Sequence, residues 1–183
     1  MSTGRFYTVE GIVLKRKNSG EADRIITLFT KEKGKLVVTA KGIRRITSKR
    51  APHLEVFSRG RLLLHRGHYR DTISEIEPLA TYADLRNHLG RVSVAYYLCE
   101  VIDVLLPEQQ EHRDVYSQLT QALVILDRGN PADDYIQVFT EKLLILLGFL
   151  SAQRRLSTEE VLAYVEQLTE RKLRTRRLLL QLA

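Results

Sequence analysis

The sequence predicts an α+β protein with segregated halves, a small all-strand domain over residues 1–80 followed by an all-helical domain over 81–183. Three observations predict it. Short runs rich in Val, Ile, Thr, Leu and aromatics fill the first 80 residues, with turn residues between them and no long helical pattern. Near Pro78 the apolar period changes to helical spacing and keeps it. Charge divides at the same place: residues 1–80 hold 17 Lys+Arg against 8 Asp+Glu, whereas 81–170 hold 7 against 14.

Five strands are expected, over 6–15, 24–30, 35–40, 54–65 and 69–76. The turns are marked by Asn18-Ser19-Gly20, Lys33-Gly34, Arg59-Gly60 and Arg66-Gly67. Strands this short and this evenly spaced form a small barrel or a sandwich. The first helix is expected over 82–106, with Leu85, Leu89, Val92, Ala95, Tyr96, Cys99, Ile102 and Leu106 inward and Pro107 as its stop. A second runs over 114–126, and Gly129-Asn130-Pro131 ends it. A third covers 134–147 with Gly148 as its C-cap. Ser157-Thr158-Glu159-Glu160 has the capping-box pattern and starts a fourth. A short basic helix over 175–182 closes the chain, and the domain boundary falls at 77–82.

Composition removes several classes of protein. Apolar residues make up 44% of 183 residues, enough for a packed core. No run of about eighteen apolar residues is present to span a membrane. The segment MSTGRFYTVEG has no apolar signal-peptide core, and the single cysteine, Cys99, cannot build a disulfide framework. The expectation is a soluble cytosolic protein with no membrane partner.

The stretch KGIRRITSKR, Lys41 to Arg50, carries five cations and no acid in ten residues. Like charges repel, so such a segment gains its use when an anion lies against it, and clustered Lys and Arg in a barrel domain point to nucleic-acid phosphates. Lys15, Arg16, Lys17, Lys31, Lys33 and Lys35 extend the patch in sequence. Phe6, Tyr7, Phe29, Phe57 and Tyr69 are the aromatics available for stacking on unpaired bases, and a strand aromatic is by default core.

Nothing assembles into a catalytic site. His65 and His68 have H-x-x-H spacing without further ligands nearby, short of the three or four a metal needs. Cys99 lies on an apolar helix face. Asp133-Asp134 and Glu159-Glu160 sit at helix starts, where they favour the helix dipole. No phosphate-binding glycine loop or nucleophile elbow is present. The expectation is a binding protein with no cofactor and no metal. The basic run Arg171 to Arg177 either contacts phosphate or docks on the acidic helical domain.

The segment EGIVLKRKNSGEADRIITLFTKEKGKLVVTAKGIRRITSKR, Glu10 to Arg50, resembles the N-terminal domain of the RecO recombination-mediator family. EKLLILLGF, Glu141 to Phe149, resembles its third helical segment, and ERKLRTRRLLLQL its C-terminal helix. The resemblance implies an OB-fold barrel and a helical domain. It implies a nucleoid-associated DNA-repair protein that binds single- and double-stranded DNA, anneals complementary strands and helps load recombinase on coated single strands. It also implies RecR and the C-terminal tail of single-strand-binding protein as partners, and RecA indirectly. Many members of that family carry a four-cysteine zinc motif after the segment corresponding to LLGF. Here Phe149 leads through LSAQRR to Ser157, so no zinc and a reduced helical domain are expected.

On this reading Lys35, Lys41, Arg44, Arg45, Lys49 and Arg50 contact phosphates. Arg24 stands beside them or pairs with Asp23 or Glu21. About five contacts give a log–log salt slope near −3.5 for single strands. The acidic tail of single-strand-binding protein needs a cation beside a hydrophobic groove, and Arg113, Lys142 and Arg154 are among the few cations there. The rival is an RNA-binding or ribosome-associated OB-fold structural module. A metal-dependent nuclease fits poorly, because the carboxylates are scattered.

Overall fold

Alternation is cleanest in Gly34–Ala40 (β3): Leu36, Val38 and Ala40 are buried while Lys35, Val37 and Thr39 are half-exposed. A strand with one face in a core must read this way, because its side chains alternate between faces. In the computed structural model, which describes residues 4–180, β3 belongs to a closed five-stranded barrel with Phe6–Ser19 (β1), Asp23–Thr30 (β2), Arg59–His65 (β4) and Thr72–Ala80 (β5). The order is β1-β2-β3-β5-β4, the five-stranded barrel expected of an OB fold. Val9, Val13, Ile26, Leu28, Leu62, Leu64 and Ile73 fill the interior together with the inward face of β3.

One long strand closes the barrel. The first half of β1 pairs with β4 and its second half with β2, and the register shifts between Val13 and Lys15. The extra residue bends the strand so that it can serve both neighbours. The opposite seam is narrow, since β3 and β5 share only the pair Thr39↔Thr72.

The strands depart from expectation at several places. β1 continues through Asn18-Ser19, and β5 runs over 72–80 instead of 69–76, which leaves Tyr69 in the preceding turn. Residues 54–58 are not strand: Ala51–Leu54 form a 3-10 turn, and Phe57 has φ 77° while its N–H donates to the Val13 carbonyl. Arg59-Gly60 is strand instead of turn. A Cβ on Gly60 would lie 2.9 Å from the Glu77 carbonyl oxygen, so this glycine permits close approach of β4 and β5 at a register shift.

The chain forms two compact units. The first takes the chain up to Thr81 together with Pro107–Arg113; the second takes Tyr82–Leu106 and the chain from Asp114 onward. Within the first unit the 107–113 segment runs beside β3, where the Gln109 N–H donates to the Lys35 carbonyl at 2.9 Å. Gly34 (φ +66°) lies beneath it.

In the second unit the helices are Ala83–Arg86 (α1), Leu89–Leu105 (α2), Arg113–Arg128 (α3), Tyr135–Leu146 (α4), Thr158–Thr169 (α5) and Arg176–Leu180 (α6). The expected first helix is broken at Asn87-His88. Leu85, Ala95, Cys99, Ile102 and Leu106 are buried as expected, Leu89 and Tyr96 are exposed, and Tyr97, Leu98 and Val101 are buried in addition, so α2 is covered over a wider arc than one stripe. The Tyr97 hydroxyl donates to Thr140 Oγ1 at 2.8 Å, and Gln118 Nε2 donates to the Phe139 carbonyl, tying α2 and α3 to α4. Gly148 (φ +78°) ends α4, with Phe149 N–H on the Leu144 carbonyl and Gly148 N–H on that of Ile145. Ser157 and Glu160 form the expected capping box. The last residues of the expected 175–182 helix lie outside the described range.

Gly34 and Gly20 separate backbone strain from packing. Both have positive φ, but a Cβ on Gly20 meets nothing, whereas one on Gly34 would lie 1.8 Å from the Gln110 carbonyl oxygen. Gly20→Ala should cost about 1–2 kcal/mol, the left-handed penalty alone. Gly34→Ala should cost about 1–3 kcal/mol more, because the 107–113 segment must move. Urea denaturation of both variants checks this, and equal losses would mean that segment is not fixed against β3.

Candidate nucleic-acid interface

The basic loop starts where β3 ends. Gly42 (φ +63°) turns the chain, and its N–H donates to an Asp23 carboxylate oxygen at 2.7 Å. Ile43 is buried and plugs the barrel interior with Leu54. The Arg44 N–H donates to the Ala22 carbonyl, and its guanidinium reaches the Gly20 carbonyl at 3.1 Å. The loop is thus tied to the β1–β2 turn.

Arg50 ties the other end. Its Nη1 donates to the carbonyls of Ile73 (2.6 Å) and Ser74 (3.3 Å) on β5, and its Nη2 to that of Lys41 at 2.8 Å. The side chain thereby bridges the seam between β3 and β5. Its half-buried fork, expected to grip phosphate, is engaged with the protein's own backbone.

Arg24 also differs from expectation. It pairs with Glu55 at 3.4 Å and with Asn18 at 3.3 Å, with its side chain 19% exposed. Asp23 and Glu21 are not its partners in these bonds. Glu55 bridges Arg24 and Arg16, so one carboxylate serves two strand cations.

Four loop cations remain exposed: Lys41, Arg44, Arg45 and Lys49. Ile46 and Thr47, between them, are exposed as well. No side-chain hydrogen bond or ion pair engages Lys41, Arg45 or Lys49 among the described residues. Lys35 is elsewhere: it stands six residues before Lys41 on β3, about 20 Å away at the usual strand rise. Lys31 and Lys33 share that far end, in the β2–β3 turn. A patch that is continuous in sequence is therefore split between two ends of the barrel.

The aromatics sort themselves by burial. Phe29 and Phe57 are buried, and Tyr7 is half-buried with its hydroxyl on Asp71. Burial first, and then that hydrogen bond, push the Tyr7 phenol above its usual range, so it remains a donor. Phe6 packs edge-on against His65, with ring centroids 4.9 Å apart. Tyr69 is 93% exposed.

The three cations expected to meet a protein partner are divided between the two units. Arg113 counts with the first unit and pairs with Glu111. In the second unit, Lys142 is exposed on α4 and Arg154 lies over the Tyr164 ring at 5.5 Å. Cys99 is buried, which raises its thiol well above the usual range. The basic run at 171–177 docks: Glu100 accepts the N–H groups of Arg174 and Thr175 at 2.9 Å, and Glu166 accepts Arg176 at 2.6 Å. Arg171, Lys172, Arg174 and Arg177 stay exposed.

Arg50 and Arg44 look alike in sequence and differ in contacts. Arg50→Ala should lower stability by about 2 kcal/mol, because it removes charge-assisted bonds and leaves part-buried carbonyls unpaired. Amide exchange within 41–50 should quicken in that variant. Arg44→Ala, on the exposed side, should stay within about 0.5 kcal/mol of the parent. Equal stability of the two variants would show that the loop holds its place without Arg50.

The comparisons with known proteins agree with this architecture. Residues 1–82 match the model of the recombination protein O N terminal, and residues 86–154 that of its C terminal. The chain is 38% identical over 146 residues to the DNA repair protein RecO of Symbiobacterium thermophilum, covering 78% of this chain and 57% of that one. It is 33% identical over 153 residues to the DNA repair protein RecO of Pelotomaculum thermopropionicum (84% and 59% covered). It is 34% identical over 145 residues to that of Roseiflexus sp. (79% and 51% covered). The chain thus spans 51–59% of the length of these relatives. With two models covering consecutive segments of a barrel and a helical unit, the chain belongs to the recombination protein O family.

Proposed function

We propose that this chain is a DNA-binding recombination mediator in DNA repair. It binds single- and double-stranded DNA, anneals complementary strands and helps load recombinase on coated single strands. The observation that carries this reading is the exposed, acid-free set Lys41, Arg44, Arg45 and Lys49, held on a loop anchored at both ends. Family membership supports it, as do relatives named as DNA repair proteins.

The mechanism is electrostatic. Exposed Arg and Lys neutralise phosphates, the arginines as forks and the lysines as point charges. Two strands on one cationic surface repel each other less, and base pairing supplies the free energy for joining them. No nucleotide hydrolysis is required. Phosphate contacts carry no base information, so sequence preference is weak. Arg50, Arg24 and Asp23 act as positioning residues.

Partner contact belongs to the helical unit in this proposal. Lys142 and Arg154 are candidates there for the acidic tail of single-strand-binding protein. RecR is a direct partner and RecA an indirect one. The site of action is the nucleoid.

Four phosphate contacts give a log–log salt slope of about −2.8 for single strands. Anisotropy of a labelled single-stranded oligonucleotide, titrated across salt, measures it. In Lys41→Ala/Arg44→Ala/Arg45→Ala/Lys49→Ala, affinity at low salt should drop about tenfold or more and the slope should flatten. Unchanged affinity and slope would take DNA off this loop. RNA displacing DNA at equal length and salt would favour the RNA-binding module instead.

A further inference from the structure

The turn between β4 and β5 was built by the chain with care for its backbone and with its largest ring turned outward. A Cβ on Gly67 would lie 1.9 Å from the Arg70 carbonyl oxygen, so the turn closes tightly on itself. Asp71 braces it from within. One carboxylate oxygen accepts the Gly67 N–H at 3.0 Å, the other accepts the Tyr7 hydroxyl, and the Asp71 carbonyl accepts the Thr39 N–H at 2.9 Å. The backbone under Tyr69 is therefore fixed to β1 and β3.

On this braced turn Tyr69 is 93% exposed, and His68 stacks on it with centroids 4.6 Å apart and planes 27° from parallel. One exposed tyrosine needs no explanation by itself. Here the ring borders a groove of about 740 Å³ that runs to Lys41 at the root of the basic loop. Arg70 lines the same groove, and none of its eight lining residues is acidic. On the other side of the turn Glu32 and Glu111 stand near Lys33, so the acid-free approach is the one from Lys41.

We propose that Tyr69, backed by His68, is a stacking platform for an unpaired nucleobase, with Lys41 and Arg70 taking the flanking phosphates. This rests on the nucleic-acid reading of the basic loop and extends it by assigning the bases of a single strand to a distinct surface. Stacking is sequence-tolerant, because every base has a π-face. A duplex, whose bases are already stacked, gains nothing from such a platform, so it biases the protein toward single strands.

The test compares oligothymidylate with an abasic oligomer of equal length, which keeps the phosphates and lacks the bases. The full chain and its Tyr69→Ala and Tyr69→Trp variants are titrated with each. The parent should prefer oligothymidylate by roughly 5- to 150-fold, the worth of one stacked base. Tyr69→Ala should lose that preference while keeping its affinity for the abasic strand and its salt slope. Tyr69→Trp should retain the preference. An intact preference in Tyr69→Ala would overturn the platform and leave the loop reading standing. Failure of the parent to bind either oligomer would overturn both.

Discussion

The seam between β3 and β5 is the constraint on which the basic surface depends. A closed barrel needs every strand edge satisfied, yet these two strands share a single residue pair. Past that pair the Ile73 and Ser74 carbonyls point into the gap, and the Arg50 guanidinium fills it while also holding the Lys41 carbonyl. One side chain thus closes the barrel and fixes both ends of the loop that carries the exposed cations. Its charge is part of the solution. Guanidinium bonds to carbonyl oxygens are stronger than neutral ones, and a planar fork reaches several acceptors at once.

That arrangement also explains why a self-repelling segment stays ordered. The loop gains its position from Ile43 in the barrel interior, the Asp23 carboxylate on the Gly42 N–H, and Arg50 on the seam. None of these needs Lys41, Arg45 or Lys49, which are left to face solvent. Like charges a few ångströms apart cost little in water and are further screened by salt, so anchoring of ordinary strength suffices. The same cations lose their counterions when phosphate arrives, which is the entropic source of salt-dependent binding.

Much of this was legible in the sequence, and the gaps have physical causes. An acid-free run of five cations marked the loop, and alternation marked β3. Charge alone could not tell Arg50 from Arg44, because two of the carbonyls that meet Arg50, those of Ile73 and Ser74, lie more than twenty residues away on another strand. Arg59-Gly60 read as a turn, since a glycine wanted for close strand approach looks the same as one wanted for positive φ. The α2 face was read correctly at Ala95, Cys99 and Ile102, but a single stripe could not show that the helix is covered over a wider arc, which buries Tyr97 and leaves Tyr96 exposed. Among the aromatics, Tyr69 differed only in its neighbourhood: Arg66, Gly67, His68 and Arg70 give it no apolar alternation, a weak sign of exposure.

The two halves handle charge in opposite ways, and net charge hides this. In the acidic half, several carboxylates accept backbone N–H groups from neighbouring segments. Glu100 holds Arg174 and Thr175, Glu166 holds Leu173, and Glu141 holds Leu156 at 2.7 Å. Those acids serve as caps and joints, and Glu141 is buried in doing so. In the basic half, Arg16, Arg24, Arg50 and Arg59 are drawn into pairs or onto carbonyls, while the loop lysines and Arg45 are left out. Surface potential follows the charges that remain after such pairing. For this chain the loop is one place where cations remain, beside the groove shared by Lys41, Tyr69 and Arg70, and the far barrel end with Lys31 and Lys33 is another.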